Sequence, residues 1–126
     1  MKPHKSTWTI LVVDRSRNVR RYLKRELESE GHQVPLAENC GQVIEVAHDR
    51  TPLDLIIIDP DLPDEGSTSL LFKLQRLHPH TPLIVHSLTN NGVNQNDMIQ
   101  ATEFVEKGGR SIERLIQVIK SCLGVI

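Results

Sequence analysis

The chain is poor in cysteine: Cys40 and Cys122 are the only two among 126 residues. They form neither a C-x-x-C pair nor a metal-ligand spacing, which argues against a disulfide scaffold or zinc site and for two ordinary buried thiols in a reducing compartment. Net charge is nearly absent too, because 15 Lys and Arg against 16 Asp and Glu leave −1. No overall field therefore draws the chain to nucleic acid or to an anionic membrane. No apolar run approaches the ~20 residues of a bilayer span, and the opening MKPHKSTW contains no apolar signal stretch. A soluble, cytoplasmic protein is expected. Also missing are the G-x-G-x-x-G and Walker patterns: RSRNVRR, after the first apolar run, offers no glycine-rich phosphate cradle. That weighs against a nucleotide-binding module or small α/β enzyme. The length fits one domain with a real core, placed at residues 9–126 behind a tail at 1–8.

What is present alternates regularly. TILVV (9–13), LIII (55–58) and PLIVHS (82–87) are short β-branched runs without polar alternation, the pattern of parallel strands covered on both faces. HQVPLA (32–37) is strand-like, but Pro35 cannot donate to a ladder, so it is placed at the sheet edge. EFVEK (103–107) supplies a last strand. Between them, Ser16 can cap a helix with Val19, Tyr22, Leu23 and Leu27 at helical spacing and Gly31 as its stop. Asn39 can cap a second with Val43, Ile44 and Ala47, and Leu70, Leu71, Leu74 and Leu77 mark a third that ends at His78 and Pro79. The Asn-rich stretch LTNNGVNQND leaves room only for a short or irregular helix within 88–102. Ser111 can cap the last helix, with Ile112, Leu115, Ile116, Ile119 and Leu123 on one face. Five successive βα units predict an α/β fold: a parallel sheet with right-handed crossovers, helices on both faces and a ligand site at the carboxyl ends of the strands.

That edge is where the chain puts its acids. LIIIDPDLPDEG runs an apolar strand into Asp59, Asp61, Asp64 and Glu65, and Asp14 ends the first strand in the same way. Two acids meeting there repel one another unless something cationic compensates them, and carboxylate oxygens around a gap suit a hard cation such as magnesium. Ser87 and Lys107, at the ends of later strands, add a hydroxyl donor and a cation. Together the four could stabilise a phosphoryl group carried on a carboxylate.

In ILVVD (10–14), IIIDPDLP (56–63), PLIVHS (82–87) and FVEK (104–107), in this order and placement, the chain resembles the receiver domain of two-component response regulators over essentially its whole length. The resemblance implies the flavodoxin-like receiver fold with strand order 2-1-3-4-5. It implies that Asp59 is the phosphoacceptor, attacking a phosphohistidine of a sensor histidine kinase or a small phosphodonor. By the same resemblance Asp14 and Asp59 hold Mg2+ with the backbone carbonyl of Asp61. Ser87 is then the switch hydroxyl, Lys107 the phosphate-pairing lysine and Phe104 the switch aromatic. The implied protein is a signalling domain rather than an enzyme, taking part in its own aspartate phosphorylation and dephosphorylation. Its partners are a kinase or phosphotransfer protein and an output protein, and its state is monomeric or weakly dimeric. Solvated loop or surface roles for Asp61, Ser87 and Lys107, and a core role for Phe104, stand beside these readings.

Several residues depart from the pattern. Arg15 follows Asp14 where the family usually carries a second acid, and its guanidinium either takes the cation's place against Asp59 or Asp61 or turns out to solvent. Gly108 and Gly109 follow Lys107 where a cis proline is common, and Gly66 comes one position early. The basic run Arg15, Arg17, Arg20, Arg21, Lys24 and Arg25 is either a solvated helix face or a dock for an acidic partner. The six histidines show no ligand spacing, and His86 reads as packed rather than catalytic. A phosphorylatable receiver is thus set against a phosphorylation-independent pseudo-receiver that serves as a protein-binding module. With no output domain after the last helix, the chain reads as a stand-alone or excised receiver.

Overall fold

A computed structural model describes residues 7–49, 52–64, 70–88 and 102–124. Among these, β1 (Ile10–Val13), β2 (Leu36–Ala37), β3 (Leu55–Ile58), β4 (Leu83–Ser87) and β5 (Glu103–Glu106) alternate with α1 (Arg17–Glu28), α2 (Cys40–His48), α3 (Leu70–Leu77) and α4 (Ser111–Cys122). All strand pairs are parallel, in the order β2-β1-β3-β4-β5, with Val13 beside Ile58 and Ile58 beside Val85. The predicted doubly wound sheet is therefore present. The helix expected within 88–102 and the turn around Gly66 lie largely outside the described residues.

The period-two alternation of strand side chains divides the core. Leu11, Val13, Ile56, Ile58, Leu83 and Val85 point to the face covered by Val43 and Ala47 of α2 and by Leu70, Leu71 and Leu74 of α3. Ile10, Val12, Leu55, Ile57, Ile84 and Val105 point to the other, covered by Leu23 and Leu27 of α1 and Leu115 and Ile119 of α4. This is why β1, β3 and β4 are apolar at every position.

The differences from expectation have local causes. Residues 32–37 give only a two-residue strand, joined by an isolated bridge between Thr9 and Gln33. The carbonyls of Gln33, Pro35 and Ala37 accept from Ile10, Val12 and Asp14, while Pro35 has no N–H to return. Ser111 does not cap the last helix but begins it, behind Arg110, which makes no side-chain cap bond. Tyr22 and Leu77 lie toward solvent, with Arg25 over the Tyr22 ring. Neither Cys40 nor Cys122 forms a disulfide among the described residues, and both are half-buried rather than buried.

Ser16 and Asn39 cap their helices as expected, accepting from Val19 and Gln42. Gly31 follows α1 at φ 92°, and a Cβ there would also stand 3.3 Å from Thr7 Cγ2. Gly31→Ala should therefore lower stability by about 1–2 kcal/mol, the usual cost of left-handed backbone for an L side chain. Urea unfolding at neutral pH checks it.

Candidate active site at the carboxyl edge of the sheet

Asp14 and Asp59 are carried one residue past β1 and β3. The amide of Asp14 donates to Ala37 and that of Asp59 to Val13, so the sheet ladder fixes both backbones side by side. Both are almost closed off from solvent, at 2% and 5% exposure. Each carboxylate spends one oxygen locally: Asp14 Oδ1 accepts from the Ser16 amide at 2.8 Å, and Asp59 Oδ1 from the Asp61 amide at 2.9 Å. The two remaining oxygens converge on one cation, with Lys107 Nζ 2.8 Å from Asp14 Oδ2 and 2.7 Å from Asp59 Oδ2.

Lys107 arrives there because its amide donates to the Ser87 carbonyl at 2.6 Å, extending the β4–β5 pairing past its last residue. Burial pulls the ammonium pKa down, but hydrogen bonds and charge from Asp14 and Asp59 outweigh it and hold it above the ordinary lysine value. Ser87 is buried at the end of β4. Phe104, beside Val85 on β5, is half-buried and packs on the α2/α3 side of the core.

Such an edge offers a nucleophilic carboxylate, a second carboxylate, a fixed ammonium and a neighbouring hydroxyl, a set suited to phosphoryl transfer. Comparison with known proteins decides the family: the profile of the response regulator receiver domain matches residues 10–120. This chain is a response-regulator receiver domain.

The receiver is 33% identical to the DNA-binding transcriptional regulator NtrC of Azospirillum brasilense over 103 residues, covering 82% of this chain and 20% of that protein. It is 33% identical over 76 residues to the virulence transcriptional regulatory protein PhoP of Salmonella typhimurium, covering 60% of this chain and 34% of that one. It thus spans well under half of these curated relatives. Among solved structures, NtrX from Brucella abortus superposes with a TM-score of 0.80 at 27% identity, over 94% of this chain and 28% of that one. A two-component response regulator from Clostridium difficile gives 0.79 at 24% identity, over 93% and 96%, and supports the fold.

Within the receiver, Arg15 does not enter the pocket. Asp14 Oδ1 turns back onto the Ser16 amide, which directs the intervening side chain outward. The Arg15 and Asp61 side chains are 60% and 65% exposed and meet only at 3.8 Å. The cation between the acids is Lys107. Asp64 is likewise no pocket acid: it accepts from the amides of Cys40 and Gly41 at the start of α2, at 2.7 and 3.1 Å. The Cys40 amide, helped by Gly41, holds its carboxyl below the usual carboxylate range.

Two features of the site escaped the sequence reading. Arg20, counted there among surface basics, donates to the Asp14 carbonyl at 2.7 Å and pairs with Glu38 at 3.1 Å. It braces the turn after β1. His86 is 1% exposed, and its ring lies 3.4 Å from the hydroxyl of Ser111. Neither has a spacing signature, since Glu38 and Ser111 are brought to Arg20 and His86 only by the fold.

Receiver domains generally bind magnesium at this acidic pocket. Among the described residues no cluster of three His, Cys, Asp or Glu side chains surrounds Asp14 and Asp59. Magnesium commonly takes one or two carboxylates and completes its shell with water and phosphate oxygens. The two buried acids fit that demand, in competition with Lys107.

Proposed function

We propose that this receiver accepts a phosphoryl group on Asp59 from a sensor histidine kinase or phosphotransfer protein and thereby switches its contact with an output protein. The observation that carries the reading is the shared Lys107 ammonium between Asp14 and Asp59. One carboxylate oxygen of Asp59 attacks phosphorus. The bond from phosphorus to the donor's imidazole nitrogen breaks, its electron pair returning to that nitrogen, and an acyl phosphate forms.

The product brings roughly −2 of charge where Asp59 held −1. Lys107 can follow the new oxygens without leaving the pocket, and the Ser87 hydroxyl at the adjacent strand end is placed to donate to one of them. A phosphoryl group that draws Ser87 toward it disturbs the packing beside Phe104, which gives the change a route to the β5 surface. Magnesium, held by Asp14, Asp59 and the Asp61 carbonyl, would neutralise charge on the phosphoryl oxygens. The response regulator TrrA of Thermotoga maritima has been solved in complex with Mg2+ and BeF.

A phosphorylation-independent pseudo-receiver, a binding module on the same fold, is the second reading. It is favoured by Arg15, which stands where the family usually carries a second acid and leaves Asp14 and Asp59 as the carboxylates at the pocket among the described residues. Incubation with acetyl phosphate, followed by intact mass, separates the two. The expected outcome is a phosphoryl adduct that increases with magnesium and is absent from Asp59→Asn. No adduct, under conditions that label another receiver, would establish the binding module instead.

A further inference from the structure

His86 is a buried polar side chain for which the proposed chemistry has no use. It lies on β4 next to Ser87, on the face covered by α1 and α4, and is 1% exposed. Its Nε2 stands 3.4 Å from Ser111 Oγ, and Nδ1 meets no partner among the described residues. A buried polar atom without a partner is costly, so an apolar residue at this strand position would be favoured unless the ring served elsewhere. An unpaired acceptor costs less than an unpaired N–H, which puts the proton on Nε2, donating to Ser111 Oγ.

The loop from Lys107 to Ser111 needs such a bond. Gly108 and Gly109 have φ of 128° and 52°, and a Cβ at either would touch nothing within 4 Å, so the two glycines themselves contribute no packing to the turn. The helix that follows has no side-chain cap. Besides the turn's own Ser111 amide bond to Gly108 and the ion pairs of the Lys107 ammonium with Asp14 and Asp59, the loop is tied to β4 at its two ends. The Ser87 carbonyl holds the Lys107 amide at 2.6 Å, and His86 reaches the Ser111 hydroxyl. Both tethers come from adjacent residues of one strand.

We propose that His86 is a positioning residue which, through Ser111, fixes the glycine loop and so keeps the Lys107 ammonium between Asp14 and Asp59. The consequence for phosphorylation rests on the function proposed above; the consequence for Lys107 does not.

The test uses Ser111→Ala, His86→Leu and the conservative His86→Gln, whose amide N–H can donate to the same hydroxyl. Nitrogen-15 NMR of the Lys107 side chain reads the ammonium directly, independently of phosphorylation. Its protected signal should be lost in Ser111→Ala and His86→Leu and kept in His86→Gln. Labelling by acetyl phosphate should slow roughly 10-fold in the first two, at an unchanged half-saturating concentration, because a displaced charge costs rate without altering donor binding. His86→Gln should restore most of that rate. Should Ser111→Ala keep the signal and the rate, the proposal fails, even if His86→Leu unfolds. It fails equally if Gln behaves as Leu does. If the Lys107 signal responds as expected while the wild type takes no phosphoryl group, the tether stands and the assignment of Asp59 as phosphoacceptor falls.

Discussion

Lys107→Met should lower the unfolding free energy at pH 7 by about 3–5 kcal/mol, because removing one partner of a buried ion cluster leaves the others uncompensated. Here the loss falls on two carboxylates, since Asp14 and Asp59 present their free oxygens to this one ammonium. Methionine retains most of the stem's packing, so the measured change is largely one of charge. Urea unfolding of Lys107→Met and of Lys107→Met/Asp14→Asn supplies the check. The double variant removes a negative charge along with the positive one and should recover part of the loss. A loss under about 1 kcal/mol, typical of an exposed pair, would show that water already shields the acids. The sign against pH follows from the raised lysine pKa. Lys107 contributes in full below the ordinary value of 10.5, and the contribution disappears as pH rises through the higher folded value. The difference between wild type and variant should therefore persist unchanged from pH 7 to about 10.

The legible parts of this receiver were those that one strand or helix determines alone. LIII at 55–58 is apolar at each position because helices cover both sides, and such a run has few other homes. From the order of such strands it followed that Asp14 and Asp59 would meet at one edge, and Lys107 was placed there as well. The cation between the acids was harder. Sequence weighed Arg15 for that role because it adjoins Asp14, but adjacency along the chain is a poor guide at a strand end. The Asp14 carboxylate closes a tight turn onto the Ser16 amide, and the side chain between them has to face outward. Lys107, distant in sequence, enters because β4–β5 pairing continues through its amide. Ser111 shows the same limit in reverse. As a serine before an apolar helical pattern it resembled a cap, yet its hydroxyl faces His86 across the sheet surface. Long-range partners of this kind redirect local preferences without leaving a periodic trace.

His86 gives the second large effect, in the acid range. Burial, reinforced by the positive charge of Lys107 and opposed by Asp59, pushes its pKa from 6.5 down to about 4. Between those values the unfolded chain binds a proton at this imidazole and the folded chain does not. Stability is thus complete above pH 6.5 and declines as pH falls toward 4, by roughly 3 kcal/mol at ~1.4 kcal/mol per unit. The test is a difference: urea unfolding of wild type and His86→Leu at steps from pH 7.5 to 4.5. The wild-type curve should fall more steeply than that of His86→Leu as pH drops from 6.5 toward 4. Parallel curves would mean that the ring takes up its proton in the folded state at an ordinary pH. An imidazolium would then lie close to the Lys107 ammonium, and the like-charge repulsion would work against holding Lys107 between the two acids.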